Sequence, residues 1–123
     1  MLQIMVVESD PSLARLYREE LEEAGFGVVV RSDMGRAMRS LKGAPAHVLV
    51  TSLDLVGGRL ELWMDHLRQV HEGGVVLLGR RRRRPPCIEG LSVLDKSSDL
   101  SDLVERLRDM ANTAWWQHAG GNC

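Results

Sequence analysis

The sequence predicts one α/β domain in which parallel strands alternate with helices that cover both faces of the sheet. Two observations predict this class. Short, nearly continuous apolar runs, typical of buried parallel strands, alternate with segments whose apolar residues recur at helical spacing. The 123 residues also suit a single domain with one continuous core.

Each element follows from its local sequence. The first strand is the apolar run from Leu2 to Val7, and Asp10 can cap a helix whose first position is Pro11. The other strands are expected at Phe26 to Val30, His47 to Thr51, Val75 to Leu78 and Leu91 to Leu94. The other helices are expected after a cap at Asp33, from Leu60 to Val70 with Gly73 and Gly74 closing it, and after a cap at Ser98.

The link between the fourth and fifth strands is irregular. It runs from Gly79 to Gly90 and contains five arginines and two prolines. A parallel crossover needs about a dozen residues at minimum, so a complete helix hardly fits. We therefore expect the fourth helix to be shortened or missing. The domain is expected to span residues 1–112, and residues 113–123 are expected to form a C-terminal tail.

Composition narrows the possible functions. The net charge is −1, so the chain as a whole gives no electrostatic reason to bind nucleic acid or a membrane. No apolar run approaches the length of a membrane span, and the first residues lack the basic start of a signal peptide. The two cysteines, Cys87 and Cys123, form no zinc-binding pattern and no disulfide framework. We therefore expect a protein of the reducing cytoplasm.

Polar residues follow the predicted strands at the points where the strands end. In open parallel sheets, functional groups gather beyond the carboxyl ends of the strands. These ends supply Glu8, Ser9, Asp10, Ser52, Gly79 and Lys96. The sequence therefore predicts a candidate site at this edge of the sheet.

Three segments resemble response-regulator receiver domains, the CheY-like family. VVESDPSLARLYREELEEAGFGVVV resembles their opening, PAHVLVTSLDL their third strand and VLDKS their fifth. The resemblance covers residues 1 to about 112. It implies a flavodoxin-like (βα)5 sheet with strand order 2-1-3-4-5.

The resemblance also implies how the site has changed. Receiver domains hold magnesium with two acidic residues after the first strand, and Glu8 and Ser9 stand in those places. Their phosphate-accepting aspartate ends the third strand, where this chain has Ser52. A serine or threonine ends their fourth strand, where this chain has Gly79, and their lysine falls on Lys96. The glycine expected before the third helix falls on Leu60, with Gly57 and Gly58 nearby to make the turn.

These replacements predict a degenerate pocket made of Glu8, Ser9, Asp10, Ser52, Gly79 and Lys96. Magnesium prefers carboxylate oxygens in octahedral geometry, so its binding is expected to be weak or absent. A serine hydroxyl cannot form an acyl phosphate. Lys96 is expected to pair with Glu8 or Asp54. The resulting hypothesis is a pseudo-receiver without cofactor or enzymatic activity, acting by phosphorylation-independent protein–protein interaction.

Other interpretations stay open. Asp54, two residues further along, could be the phosphate acceptor of a switchable receiver, or a ligand could replace phosphate. Serine catalysis by Ser52 would need a neighbouring base, but His47 is expected on the opposite face of the same strand. The histidines are interpreted as surface groups.

Two segments are candidates for partner docking. One is the cationic run Arg80, Arg81, Arg82, Arg83 and Arg84, and the other is the pair Trp115 and Trp116. The first would fit an acidic protein, and a homodimer is a further alternative. A nucleic-acid-binding accessory using the same arginines is the third interpretation, although no aromatic residues interleave with them.

Overall fold

Strands and helices alternate along the chain in the order that the sequence predicts. The computed structural model describes residues 1–79, 88–96 and 100–113. The elements are β1 (Gln3–Val7), α1 (Pro11–Glu23), β2 (Gly27–Arg31), α2 (Met34–Gly43), β3 (Val48–Ser52), a 3-10 helix (Leu53–Leu55), α3 (Leu60–Leu67), β4 (Gly74–Gly79), β5 (Leu91–Asp95) and α4 (Ser101–Thr113). Most strand bounds differ from the predicted ones by a single residue.

The five strands form one parallel sheet. Their order is β2-β1-β3-β4-β5, so the predicted topology is confirmed. Val6 of β1 pairs with Val30 of β2 and with Val50 of β3, and Val50 pairs in turn with Val76 of β4. Because all strands run in one direction in register, their carboxyl ends meet at a single edge.

The starts of the first two helices agree with the capping residues read from the sequence. The Asp10 side chain accepts a hydrogen bond from the Ser12 amide at 2.9 Å, and Pro11 is the first helical residue. Asp33 accepts one from the Arg36 amide at 2.8 Å. Each carboxylate satisfies an amide that the helix itself leaves unpaired.

The sheet separates two apolar clusters. Alternate residues of the central strands, such as Ile4, Val6 and Val50, pack with α1 and α4, whereas Met5 and Leu49 pack with α2 and α3. Burial of these residues on both faces explains why the strands read as continuous apolar runs. In the described part of the chain, no helix is long and apolar enough to cross a membrane.

Helix α3 ends three residues before the predicted end at Val70. The Arg68 side chain follows it and donates to the carbonyls of His71 at 3.1 Å, Gly73 at 2.6 Å and Glu89 at 3.2 Å. These bonds stabilise a non-helical path into β4. Gly74, predicted to close the helix, is therefore the first residue of β4.

The interpretation of all histidines as surface groups is wrong for His71. This side chain is buried, and its Nε2 lies 2.9 Å from the Gly74 carbonyl oxygen. Because a carbonyl only accepts, Nε2 must carry the proton and donate it. Burial lowers the pKa of His71, the bond to Gly74 opposes this, and the Arg68 charge lowers the pKa further.

Some sequence predictions fall outside the described residues. They are the cap at Ser98, residues 80–87 of the link in which the fourth helix is expected to be shortened or missing, and the tail expected at residues 113–123, apart from Thr113, which is the last residue of α4. The described residues of the β4–β5 link, Ile88 to Gly90, form a turn into β5.

The His71 environment predicts a pH-dependent stability. Because the folded-state pKa lies below the ordinary 6.5, the fold favours the neutral ring. This contribution is complete above pH 6.5 and is lost as pH falls towards the folded-state pKa, by at most about 1.4 kcal/mol per pH unit. Denaturant unfolding at several pH values between 7.5 and about 5 gives the free energy of unfolding as a function of pH. This free energy should fall less steeply with decreasing pH for His71→Gln than for the native chain.

The matched control is His66→Gln, because His66 is exposed on α3. The free energy of unfolding of this variant should depend on pH as that of the native chain does. An equal pH dependence in all three proteins would contradict the assigned role of His71.

Candidate functional site

The candidate residues lie at the carboxyl edge of the sheet, as the parallel topology requires. Glu8, Ser9 and Asp10 follow β1, Ser52 is the last residue of β3, Gly79 is the last residue of β4 and Lys96 follows β5. All six residues lie at or just beyond the carboxyl ends of their strands. Their side chains do not form one cluster, however.

Ser52 ends the third strand, as the sequence register predicts. It pairs with Leu78 of β4 and is buried. Its hydroxyl accepts a hydrogen bond from the Asp54 amide at 3.4 Å, a long bond that caps the 3-10 helix. Asp54 itself lies two residues beyond the strand and is exposed. In this geometry Ser52 has a local structural role.

Glu8 is buried, unlike most carboxylates. It is 7% exposed, and its Oε2 accepts a hydrogen bond from the Asp10 amide at 3.0 Å. Alternate residues of a strand face the same side of the sheet, so Glu8 faces the side of Ile4 and Val6. Ser52 likewise faces the side of Val48 and Val50. Glu8 and Ser52 therefore both lie on the α1/α4 face. These are the two candidate side chains that the fold brings onto one face.

Tyr17 of α1 is affected by the charge of Glu8, a relation that the sequence alone does not reveal. Its side chain is buried in the same cluster as Ile4 and Val6. Burial raises the pKa of Tyr17, and the negative charge of Glu8 raises it further. The charge of Glu8 thus affects a buried side chain of α1.

The donor set does not fit a magnesium site of the receiver type. Among the residues described at this edge, Glu8 supplies the one buried carboxylate, and one of its oxygens already accepts a hydrogen bond from the Asp10 amide. Ser9 is exposed and offers a neutral hydroxyl. Within residues 1–79, 88–96 and 100–113, no three His, Cys, Asp or Glu side chains converge as metal ligands would.

Gly79 faces away from Ser52 and Glu8. It extends the row of Val75 and Leu77, which belongs to the α2/α3 face. A Cβ added at Gly79 would lie 2.7 Å from Cβ and 3.3 Å from Cδ2 of Leu53. The space that a side chain at position 79 would need is therefore filled by Leu53.

The predicted ion pair of Lys96 is not formed. Lys96 is exposed, and among the described carboxylates none lies within 4 Å of its ammonium group. Its backbone amide donates to the Gly79 carbonyl at 3.2 Å. The prediction was wrong because Glu8 turns inwards and Asp54 lies on an exposed turn, and an exposed pair would gain little energy.

The turn before α3 uses one of the two glycines that the sequence offers. Gly58 has a φ of +70°, a conformation that favours glycine. Leu60 is buried as the first residue of α3. Gly58 is therefore available for the turn, although Leu60 stands at the position where the resemblance to receiver domains implies a glycine.

Among the open cavities formed by the described residues, two lie at the ends of the strands. One, of about 570 Å³, lies beside Glu8 and Ser9 and is bordered by Arg31 and Arg36. Arg36 forms an exposed ion pair with Asp33 at 3.2 Å. The other, of about 930 Å³, lies at the amino-terminal end of the strands, where the side chains of Arg68 and His71 already bind backbone carbonyls.

The proposed docking segments lie outside the described residues. They are the run Arg80, Arg81, Arg82, Arg83 and Arg84, and the pair Trp115 and Trp116. Their role in binding a partner stays a prediction.

The electrostatic effect of Glu8 on Tyr17 predicts a titration shift. Tyr17 is the single tyrosine, so its ionisation can be followed by ultraviolet absorbance. Glu8→Gln removes the charge and keeps an acceptor for the Asp10 amide, so the Tyr17 pKa should fall relative to the native chain. It should stay above 10.0, because burial is the larger cause. Glu23→Gln, which alters an exposed carboxylate on the same helix, should leave the midpoint unchanged. A Tyr17 midpoint in Glu8→Gln equal to that of the native chain would contradict this electrostatic effect.

Comparisons with known proteins add information about the fold. No known protein-family profile matches the chain, and no curated protein matches its sequence. Solved structures do match. A two-component response regulator from Clostridium difficile has a TM-score of 0.78 at 14% identity, covering 93% of this chain and 98% of its own. The receiver domain of a Francisella response regulator has a TM-score of 0.77 at 19% identity, covering 93% and 99%.

A third similar structure is the pseudo-receiver domain of the CikA protein. Its TM-score is 0.64 at 22% identity, with coverage of 90% of this chain and 98% of that domain. The three matches extend over nearly the whole length of each domain. Together with the strand order, they show that this chain has the CheY-like fold of response-regulator receiver domains.

Proposed function

We propose that the chain is a pseudo-receiver module of two-component-type signalling that acts by phosphorylation-independent protein–protein interaction. One observation carries the proposal: the last residue of β3 is Ser52, whose hydroxyl is buried and caps the following turn. No carboxylate occupies the strand end where receiver domains accept a phosphoryl group.

The chemistry of this edge supports the proposal. An acyl phosphate forms only when a carboxylate oxygen attacks phosphorus, and Ser52 has none. Phosphoryl transfer also depends on a divalent cation that neutralises the developing charge. Glu8 alone, with one oxygen engaged, is a poor ligand set for that cation. Weak or absent magnesium binding is thus part of the proposal.

The module is proposed to lack enzymatic activity. Ser52 as a nucleophile would need an adjacent base. Among the described histidines, His47 and His71 lie beside the starts of β3 and β4, at the opposite end of the strands, and His66 is exposed on α3. The Ser52 hydroxyl instead binds a backbone amide of its own turn.

The similar fold of a pseudo-receiver domain in CikA is consistent with this function. The partner proposed here is a signalling protein. An acidic partner would suit the run from Arg80 to Arg84, and self-association is the alternative.

Phosphorylation is the direct test. Incubation of the native chain with acetyl phosphate and magnesium, followed by intact-mass measurement, should show no added phosphoryl group. A phosphorylatable receiver domain treated in parallel is the positive control. An adduct on the native chain would overturn the proposal, and its loss in Asp54→Asn would assign the acceptor to Asp54.

Partner capture tests the docking surface. Replacing the five arginines from Arg80 to Arg84 with glutamine should abolish capture of an acidic signalling protein, because the attraction is mainly electrostatic. The matched control replaces Arg36, Arg39 and Lys42, which are exposed along α2, and should retain capture. Duplex DNA should bind none of the proteins; DNA binding that depends on the five arginines would favour the nucleic-acid interpretation instead.

A further inference from the structure

An open groove lies between α1 and α4, on the face of the sheet that these two helices cover. Its volume is about 620 Å³. The apolar part of its lining consists of Ala24, Leu100 and Val104, all buried or partly buried. The exposed charged groups around it belong to Glu20, Glu23, Glu105 and Arg108. The groove therefore combines an apolar strip with an excess of negative charge.

The negative charge of this groove is not balanced by its surroundings. Among the described residues, no cationic side chain lies within 4 Å of Glu20, Glu23 or Glu105. Glu20 and Glu23 lie three residues apart in the last turn of α1, where like charges repel and the helix end favours a cation. That turn contains no basic residue. A cationic occupant of the groove would relieve both unfavourable effects.

The chain carries a cationic segment of matching charge, the run from Arg80 to Arg84. The run holds five of the sixteen lysines and arginines, so the rest of the chain has eleven of them against 17 acidic residues, a net charge of −6. The near-neutral chain thus consists of an acidic body and one strongly cationic segment. Opposite charges separated in this way attract two copies of the same chain to each other.

The residues that flank the run lie on the other face of the sheet from the groove. Gly79, which ends β4, continues the row of Val75 and Leu77 on the α2/α3 face. Ile88, which follows the run, packs with the α2/α3 cluster. The groove of a second copy is therefore the one that these two anchors favour.

We propose that the arginine run of one copy of this chain docks into the α1/α4 groove of a second copy. The inference rests on the proposed function and deepens it, because it names the protein partner. The guanidinium groups pair with the three carboxylates, and the methylene stems of the arginines cover the apolar strip. Since the two surfaces differ, each copy offers one run and one groove.

Self-association of the full chain is the first test. Sedimentation of the native chain at about 50 mM salt should show reversible association that weakens about tenfold or more at about 500 mM, because salt screens exposed charges. Replacing all five arginines with glutamine should leave a monomer, and so should the groove variant E20K/E23K/E105K. A native chain that stays monomeric at the lower salt concentration, or associates equally at both, would overturn the proposal.

The matched control reverses three exposed carboxylates outside the groove. The variant E19K/E22K/D65K has the same net charge as the groove variant, with two changes on α1 and one on α3. It should associate at least about tenfold more tightly than the groove variant, because only short-range charge pairs resist screening. Equal losses in the two variants would mean that net charge alone governs association, against the assigned groove.

Mixing separates a contact between copies from a contact within one copy. The glutamine variant keeps the groove and the groove variant keeps the run, so an equimolar mixture should form a complex that neither forms alone. A chain that carries both sets of changes should bind neither. Failure of the mixture to associate would exclude the contact between copies.

The proposed function fails by a different result. Uptake of a phosphoryl group by the native chain would overturn the pseudo-receiver function and leave this contact standing. A native chain that takes up no phosphoryl group but remains monomeric, even if it captures another acidic protein, overturns the contact between copies alone.

Discussion

The parallel register of the central strands is the constraint on which the rest of the structure depends. Pairing of Val6 with Val50 and of Val50 with Val76 sets three strand ends side by side. It also fixes which side of the sheet each terminal residue faces. Glu8 and Ser52 consequently lie above the α1/α4 cluster, and Gly79 faces the α2/α3 cluster. The chemistry of this edge is thus divided by the sheet itself.

Three polar side chains at this edge bind backbone amides close to them in sequence. Glu8 binds the Asp10 amide, Asp10 caps α1, and Ser52 caps the turn after β3. In a receiver domain the corresponding groups would be held ready for a cation and a phosphoryl group. Here their hydrogen bonds stabilise the protein's own backbone, and this is consistent with an interaction module whose shape does not depend on a ligand.

The fold could be predicted because its signals are local. Uninterrupted apolar runs locate the strands, and Asp10 and Asp33 mark the helix starts. The end of α3 and the burial of His71 were missed because they depend on contacts of Arg68 with Glu89 and of His71 with Gly74, which no periodicity reveals. At the site, the positions of Ser52 and Gly79 could be predicted because each residue lies at the end of a strand. The Leu53–Gly79 contact was missed because it joins residues that are distant in sequence.

The close approach of Leu53 to Gly79 has a consequence for how such a chain can diverge. A serine or threonine arriving first at position 79 would meet the leucine and weaken the fold, and a smaller residue arriving first at position 53 would leave a void. Either single step lowers the stability of the fold. The two positions are therefore coupled, and a larger residue at position 79 is tolerated only when position 53 becomes smaller at the same time.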